Sequence, residues 1–298
     1  MALICEDLAR YGVVLIPPST REYFQLLAGI ERTLQARPKG SPPVDGDALS
    51  RISEHDTSGS AILVNQAPVA IASLAYAWTF RTREGRDSQS FFLPGTTASV
   101  LLPFCLQDRT KKFDAFWNTI FPTSKRLITS EGIQYGDNTD VRAPAQDELW
   151  DGGFFSGRAG SRGDRGQPVK LTIDGVFFVD GGFAGPDTLG LWEHTTLAAE
   201  EYVASSALAR QAREKSTPPD AFFQRMEAFS GYKPFPSPPP SFAPPFGPPD
   251  LEAIRKQERW VVGVLMDWLR KQLGDEAAMT SIAAWSDAPA PKLHKLDH

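Results

Sequence analysis

The chain has few of the residues that build metal centres and disulfide frameworks. Its 298 residues include two cysteines, Cys5 and Cys105, and four histidines. A structural zinc site needs four Cys or His ligands at short spacing, and no CxxC, HxH or HExxH pattern occurs. Two cysteines so far apart close at most one bridge, which excludes a disulfide framework. We interpret both as buried thiols.

A long uncharged apolar run is also absent. A bilayer-spanning helix needs about 18 or more such residues, and the longest candidate, Trp260 to Met266, is stopped by Asp267. The first residues, MALICEDLARYGVVLIPP, contain Glu6, Asp7 and Arg10 and show no leader pattern. We therefore expect a cytoplasmic protein without a membrane span, exported only if the start codon is misassigned.

Charge and glycine patterns exclude further classes of function. Lys and Arg total 31 against 36 Asp and Glu, a net charge of −5, which disfavours nucleic acid as a partner. Neither GxGxxG nor GxxxxGK[ST] occurs, so no phosphate-binding loop and no cofactor are expected. GxSxG is absent as well, and only His55 and His194 could serve as a base within the ordered chain. Enzymatic activity is therefore uncertain and disfavoured, although carboxylate pairs remain open.

The hydrophobic pattern predicts an α+β protein with a mainly β core. Ile71–Arg81 alternates large apolar with small residues, as expected of a half-buried strand. Asp180-Gly181-Gly182 predicts a hairpin turn. Short β-prone runs between 60 and 185 favour an antiparallel sandwich. The predicted organisation is a helical segment over 1–40, a β-sandwich over 60–185, a helical extension over 186–230, a polyproline strap over 231–249 and a last helix over 250–274.

Helix signals lie on both sides of the predicted sandwich. Ser19 and Glu22 match a capping box, with the Ser side chain as the cap. In the helical extension we expect a shared apolar face made of Leu189, Trp192, Thr196, Ala199 and Val203. In the last helix, the arginines and lysines are predicted to form the solvated side, and residues 286–298 are expected to be frayed.

Two segments resemble known sandwich proteins. Asn65–Gly85, NQAPVAIASLAYAWTFRTREG, resembles a strand–turn–strand unit of immunoglobulin-like and fibronectin-III-like domains. Thr172–Asp187 resembles a late strand and hairpin of uncharacterised bacterial proteins of that kind. The Cys…Trp…Cys signature of true immunoglobulin domains is missing. The resemblance implies an immunoglobulin-like β-sandwich and a binding or structural role, and it assigns no site residue.

One loop has the composition of a cation site. Asp137 and Asp140 lie in GDNTD, and carboxylate and amide oxygens are the ligands that Ca²⁺ prefers. The loop does not match an EF-hand. An Asx turn at a strand end explains the same residues.

The segment KPFPSPPPSFAPPFGPPD favours polyproline II. Lys233, Pro236 and Pro239 fit the basic-x-x-P-x-x-P pattern of ligands that dock in aromatic grooves. The alternative is a strap whose aromatic residues pack on the chain's own surface.

These observations lead us to expect a non-enzymatic binding or structural module. A carboxylate-based hydrolase or carbohydrate-active protein, assisted by Ca²⁺, is the first alternative. An adaptor that docks a partner through the polyproline segment is the second. The expected partner is a protein or a carbohydrate.

Overall fold

The alternating segment around Trp78 forms the central strand of an α+β fold. The computed structural model describes residues 2–4, 8–35, 59–92, 120–130, 134–136, 166–215, 217–232, 251–285 and 292–296. The chain divides into two compact units. The first, here the sheet unit, comprises Met1–Pro94, Lys111–Leu189 and Lys295–His298. The second, here the helical unit, comprises Gly95–Thr110 and Gly190–His294.

The described residues form ten strands and five α-helices. The strands are β1 Ala2–Ile4, β2 Val13–Ile16, β3 Ser60–Asn65, β4 Ile71–Arg81, β5 Asp87–Phe92, β6 Lys125–Thr129, β7 Gln134–Gly136, β8 Gln167–Phe178, β9 Gly182–Ala184 and β10 His294–Lys295. The α-helices are α1 Arg21–Gln35, α2 Leu191–Glu214, α3 Pro219–Ser230, α4 Leu251–Leu273 and α5 Asp275–Trp285. Within the predicted sandwich, residues 93–119, 131–133 and 137–165 lie outside the described residues.

Two sheets build the sheet unit. One has the order β10-β9-β8-β4-β5, and β1 adds to β8. The other has the order β2-β3-β6-β7 and is antiparallel throughout. Because β1 runs parallel to β8, the larger sheet is mixed, which differs from the purely antiparallel arrangement that we expected. Within residues 1–40, β1 and β2 are therefore strands of these sheets beside helix α1.

Alternation along the strands divides the sheet unit into layers. Leu63 of β3 and Ile128 of β6 share one buried cluster with Tyr76 and Trp78 of β4, so the main core lies between the sheets. The next residues along β3 and β6 point to the opposite face and join a second cluster with α1, composed of Ile16, Tyr23, Ile62, Val64 and Leu127. Helix α1 thus covers the outer face of the smaller sheet.

Strand β4 is buried on both faces, and the expectation of a half-buried strand is wrong. Only Arg81 of this strand is exposed. The alternate positions carry small residues, and Ser73 and Ala75 are as inaccessible as Ile71. In a sequence, a face of small side chains is compatible with exposure to solvent. The same small side chains equally permit a neighbouring layer to pack closely on that face.

The cap of α1 also differs from the prediction. The backbone N–H of Tyr23 donates to the Thr20 hydroxyl at 3.1 Å, and that hydroxyl donates to the Pro17 carbonyl at 3.0 Å. Thr20, not Ser19, is therefore the capping residue. The two hydroxyls are adjacent in sequence, and the turn after Pro17 selects the second.

The buried side chain of Asn65 organises the loop between β3 and β4. Its Nδ2 group donates to the carbonyls of Val69 at 3.0 Å and Ile120 at 2.8 Å. Its Oδ1 accepts the backbone N–H of Ala67 at 3.0 Å. The loop and the segment at residue 120 are thus joined through one amide.

The helical unit is built around α4, which contacts α2, α3 and α5. Gly231 and Gly274 end α3 and α4 in the left-handed conformation, with φ of 65° and 79°, as their positions predict. Helix α5 follows at once and was not predicted. None of the described helices combines the length and apolarity required to cross a bilayer.

The predicted face of α2 is wrong. Val203 is 48% exposed, whereas Thr195, Ala198 and Tyr202 are buried. The buried face mixes small residues with Leu191, Leu197 and Tyr202, and it includes the acidic Glu201. The face that carries Glu201 is buried because Glu201 pairs with Arg255 and Arg259 of α4, which apolar periodicity along α2 alone does not reveal.

We expect Asn65→Ala to destabilise the sheet unit. The substitution removes both donors and the acceptor of a buried amide, and the expected loss is about 2–4 kcal/mol of unfolding free energy. Denaturant unfolding of the purified chain measures it. Gln66→Ala, at an exposed neighbouring position, is the control and should change stability by about 0.5 kcal/mol or less. Equal effects of the two substitutions would contradict this role for Asn65.

Candidate functional site

The residues singled out by sequence fall outside the described part of the chain. Asp137 and Asp140, the expected cation ligands, follow β7 beyond its last described residue. Lys233, Pro236 and Pro239 begin directly after Tyr232, the last described residue before α4. Within the described residues, no three His, Cys, Asp or Glu side chains form a metal-binding group. Both sites therefore stay predictions.

Tyr232 is fixed where the polyproline segment begins. Its hydroxyl donates to Asp267 Oδ2 at 3.1 Å, and the same oxygen accepts Lys271 Nζ at 2.8 Å. Its ring meets the ring of Trp260 edge-on, with centroids 5.4 Å apart. The backbone N–H of Tyr232 donates to the Ser230 hydroxyl at 3.1 Å. We call this arrangement the Tyr232 anchor.

Gly263 makes the Tyr232 anchor possible. A Cβ at this position of α4 would lie 2.3 Å from the Tyr232 Cβ and 2.6 Å from the Ser230 hydroxyl oxygen. A glycine inside a helix costs roughly 0.5–1 kcal/mol relative to alanine. That cost is offset here by the close approach of the chain that leaves α3.

The electrostatics of the anchor keep the hydroxyl of Tyr232 protonated. Burial raises the pKa of Tyr232, and the negative charge of Asp267, its hydrogen bond and the charge of Glu227 raise it further. Tyr232 therefore acts as a hydrogen-bond donor to Asp267 throughout the physiological range. The arrangement can hold a chain in place, but its phenol is unsuited to act as a base.

A second polar cluster joins α2 to α4. The buried Glu201 accepts Arg255 Nη1 at 3.0 Å through Oε1 and Arg259 Nε at 2.6 Å through Oε2. Arg255 also pairs with Glu200. These hydrogen bonds raise the pKa of both arginines, with Glu201 the largest contributor. Arg255 and Arg259, which were expected on the solvated side of the helix, are thus paired with carboxylates.

The third cluster surrounds Asp174 in the sheet unit. Ala75 pairs with Gly175 and Tyr76 with Ile173, so Asp174 is the extra residue of a β-bulge. Its buried carboxylate accepts the backbone N–H groups of residues 188 and 189 at 2.9 and 2.8 Å, and the Thr188 hydroxyl. We call this contact the Asp174 latch.

Gly185 makes room for the Asp174 latch. Its φ is 131°, and a Cβ there would lie 2.5 Å from the carbonyl oxygen of Asp174. That oxygen also accepts the backbone N–H of Asp187 at 3.0 Å. Asp180 forms a separate turn by accepting the N–H of Gly182 at 3.0 Å. The carboxylates of this region serve the backbone, as the hairpin interpretation of the sequence implies.

The sequence carries local signals for some of these residues. Gly263 interrupts an otherwise strong helix, which indicates a close approach. Asp174-Gly175 inside a strand indicates a bulge. In the sequence, Asp267 stands out only as the end of an apolar run.

No family model, curated protein or solved structure matches this chain.

We expect Gly263→Ala to destabilise the chain although alanine favours the helix. The new methyl group must displace Tyr232, so the unfolding midpoint should fall. Gly29→Ala is the matched control: Gly29 lies within α1, and a Cβ there meets nothing within 4 Å. That variant should gain about 0.5–1 kcal/mol. Equal stabilisation of both variants in thermal unfolding would contradict the close approach at Gly263.

The half-buried His194 gives a pH-dependent prediction. Burial lowers the pKa of His194 below its ordinary value, so the folded chain binds fewer protons than the unfolded chain as the pH falls below about 6.5. Stability should therefore fall from pH 7.5 to 5.5. His194→Gln should reduce this dependence in denaturant unfolding. Identical pH profiles for wild type and His194→Gln would contradict the prediction.

Proposed function

We propose that this chain is a non-enzymatic binding module that presents its polyproline segment to a protein partner. The observation that carries the proposal is the Tyr232 anchor, which fixes the chain at the first residue before Lys233. Two expectations from the sequence are thereby combined: a non-enzymatic binding module, and an adaptor that docks a partner through the polyproline segment. A hydrolase or carbohydrate-active protein has no described residue in its favour.

The distance between the two described ends of the segment, Tyr232 and Leu251, supports presentation. Gly263, under Tyr232, lies about 18 Å along the α4 axis from Leu251, at about 1.5 Å per residue. As polyproline II at about 3.1 Å per residue, residues 233–249 would extend roughly 50 Å. The segment is therefore long enough to leave the helical unit and return to it.

The fixed end at Tyr232 also favours binding in energetic terms. A polyproline ligand loses little conformational entropy when it docks, because proline already restricts φ. Holding Tyr232 on α4 lowers the remaining entropy cost further. Lys233 follows the anchor directly, and Pro236 and Pro239 occupy the two proline positions of the docking pattern.

The sheet unit has the role of a scaffold in this proposal. Its two sheets share one core, and we propose that it is an immunoglobulin-like β-sandwich, as the resemblance of Asn65–Gly85 and Thr172–Asp187 implies. The parallel strand β1 is an addition to that architecture.

The binding and strap interpretations predict different effects of proline substitution. The first predicts a loss of partner binding, and the second predicts a loss of stability. The probe is a panel of purified aromatic-groove domains that bind polyproline ligands, titrated calorimetrically against the full chain. We expect at least one domain to bind the wild type, and the Pro236→Ala/Pro239→Ala variant to bind at least tenfold more weakly. The unfolding midpoint should not change.

Pro244→Ala/Pro245→Ala is the matched control, since it removes two prolines of the same segment outside the docking pattern. It should retain binding. Failure of the whole panel to bind, or a large loss of stability in the Pro236→Ala/Pro239→Ala variant with no loss of binding, would contradict the proposal in favour of the strap.

A further inference from the structure

The outer edge of β9 holds a short strand of the chain itself. One side of β9 pairs with β8, through Val176 with Ala184 and Phe177 with Phe183. The other side pairs with β10. There the backbone N–H of Leu296 donates to the Phe183 carbonyl at 2.8 Å. This is the hydrogen-bonding mode by which extended peptides add to a sheet edge.

Side chains of this strand meet complementary groups. Leu296 packs against the core between the sheets and over Gly182, where an added Cβ would lie 3.3 Å from its Cδ2 atom. Lys295 Nζ lies 3.8 Å from Asp187 Oδ2 and 5.8 Å from the centroid of the Phe183 ring. The edge thus offers an apolar seat for leucine and an acidic, aromatic seat for the preceding basic residue.

The receiving groups are held independently of the strand that they receive. Phe183 is buried and packs on Phe177 with ring centroids 4.9 Å apart. Asp187 is held in place because its backbone N–H donates to the backbone carbonyl of Asp174, the residue that forms the Asp174 latch. A site whose parts are preorganised pays less to bind a ligand.

The strand that occupies this edge, β10, is short and exposed. β10 contains two residues, and both His294 and Lys295 are exposed. Its ion pair is half exposed on the lysine side, and pairs of that kind contribute little, about 0–1 kcal/mol. A segment held in this way is exchangeable by a competing strand of the same chemistry.

We propose that the outer edge of β9 is a docking site for an extended peptide of a partner protein, with a basic residue directly before a leucine. Residues 294–296 occupy the site in cis. The cis strand acts as a competitor at an effective concentration in the millimolar range, so that a peptide in trans binds the wild-type chain weakly. The site lies in the sheet unit and does not depend on the polyproline segment.

The test uses the full chain with Leu296→Asp, which removes the leucine from its apolar seat, and a fluorescein-labelled peptide of residues 291–298, PKLHKLDH. Fluorescence anisotropy should show saturable binding to the variant at least tenfold tighter than to the wild type. Two peptides provide the matched comparison. The peptide with Leu296→Asp should lose binding, whereas the peptide with Leu293→Asp should retain it.

A second substitution tests the acidic side chain that contacts the basic residue of the peptide. Asp187→Asn, introduced beside Leu296→Asp, keeps a residue that tolerates positive φ and removes the charge. It should weaken binding of the wild-type peptide several-fold, with a smaller effect on a peptide carrying Lys295→Ala. If Leu296→Asp reduces folding, judged by circular dichroism, Leu296→Ala is used and interpreted in the same way.

Three outcomes would overturn the proposal. One is a folded variant that binds no peptide. Another is equal binding of the Leu296→Asp and Leu293→Asp peptides. The third is that the wild-type chain forms a concentration-dependent dimer in which the peptide cannot bind the edge of β9. That result would assign the edge to a second copy of the chain.

Discussion

The sheet unit depends on one buried carboxylate, that of Asp174. A carboxylate removed from water must be matched by donors, and here two backbone N–H groups and one hydroxyl supply them. As the extra residue of the bulge, Asp174 also separates the part of β8 that pairs with β1 from the part that pairs with β9. One residue therefore shapes the strand and holds the loop that follows it.

In the helical unit, polar pairs decide which helix faces meet. Glu201 of α2 receives two arginines of α4, and Arg270 of α4 pairs with Asp275 at 3.1 Å and stacks on Phe223 at 4.2 Å. Such partly buried pairs contribute modest net stability, because desolvation opposes their attraction. Removing one partner is costly, however, so the pairs favour one arrangement of the helices over others.

Sequence patterns were most reliable where one periodic signal acted alone. The strand around Trp78, the hairpin at Gly181 and the helix ends at Gly231 and Gly274 all follow from local chemistry. The buried face of α2 did not, because the arginines that receive Glu201 lie more than fifty residues away. The candidate anchor escaped prediction for the same reason: Tyr232 and Asp267 are far apart in sequence, and only Gly263 carries a local sign of their meeting.

The pairing of Lys295 with Asp187 has a consequence for how the chain is assembled. The sheet unit is left after Leu189 and entered again at Lys295, whose Nζ lies 3.8 Å from Oδ2 of Asp187, two residues before Leu189. A long stretch of chain whose ends emerge side by side is tolerated as an insertion, because its host loses little when the stretch is exchanged. The junction between Leu189 and Lys295, which leaves the donors to Asp174 in place, is accordingly a natural place to graft a foreign domain or to open new termini by circular permutation.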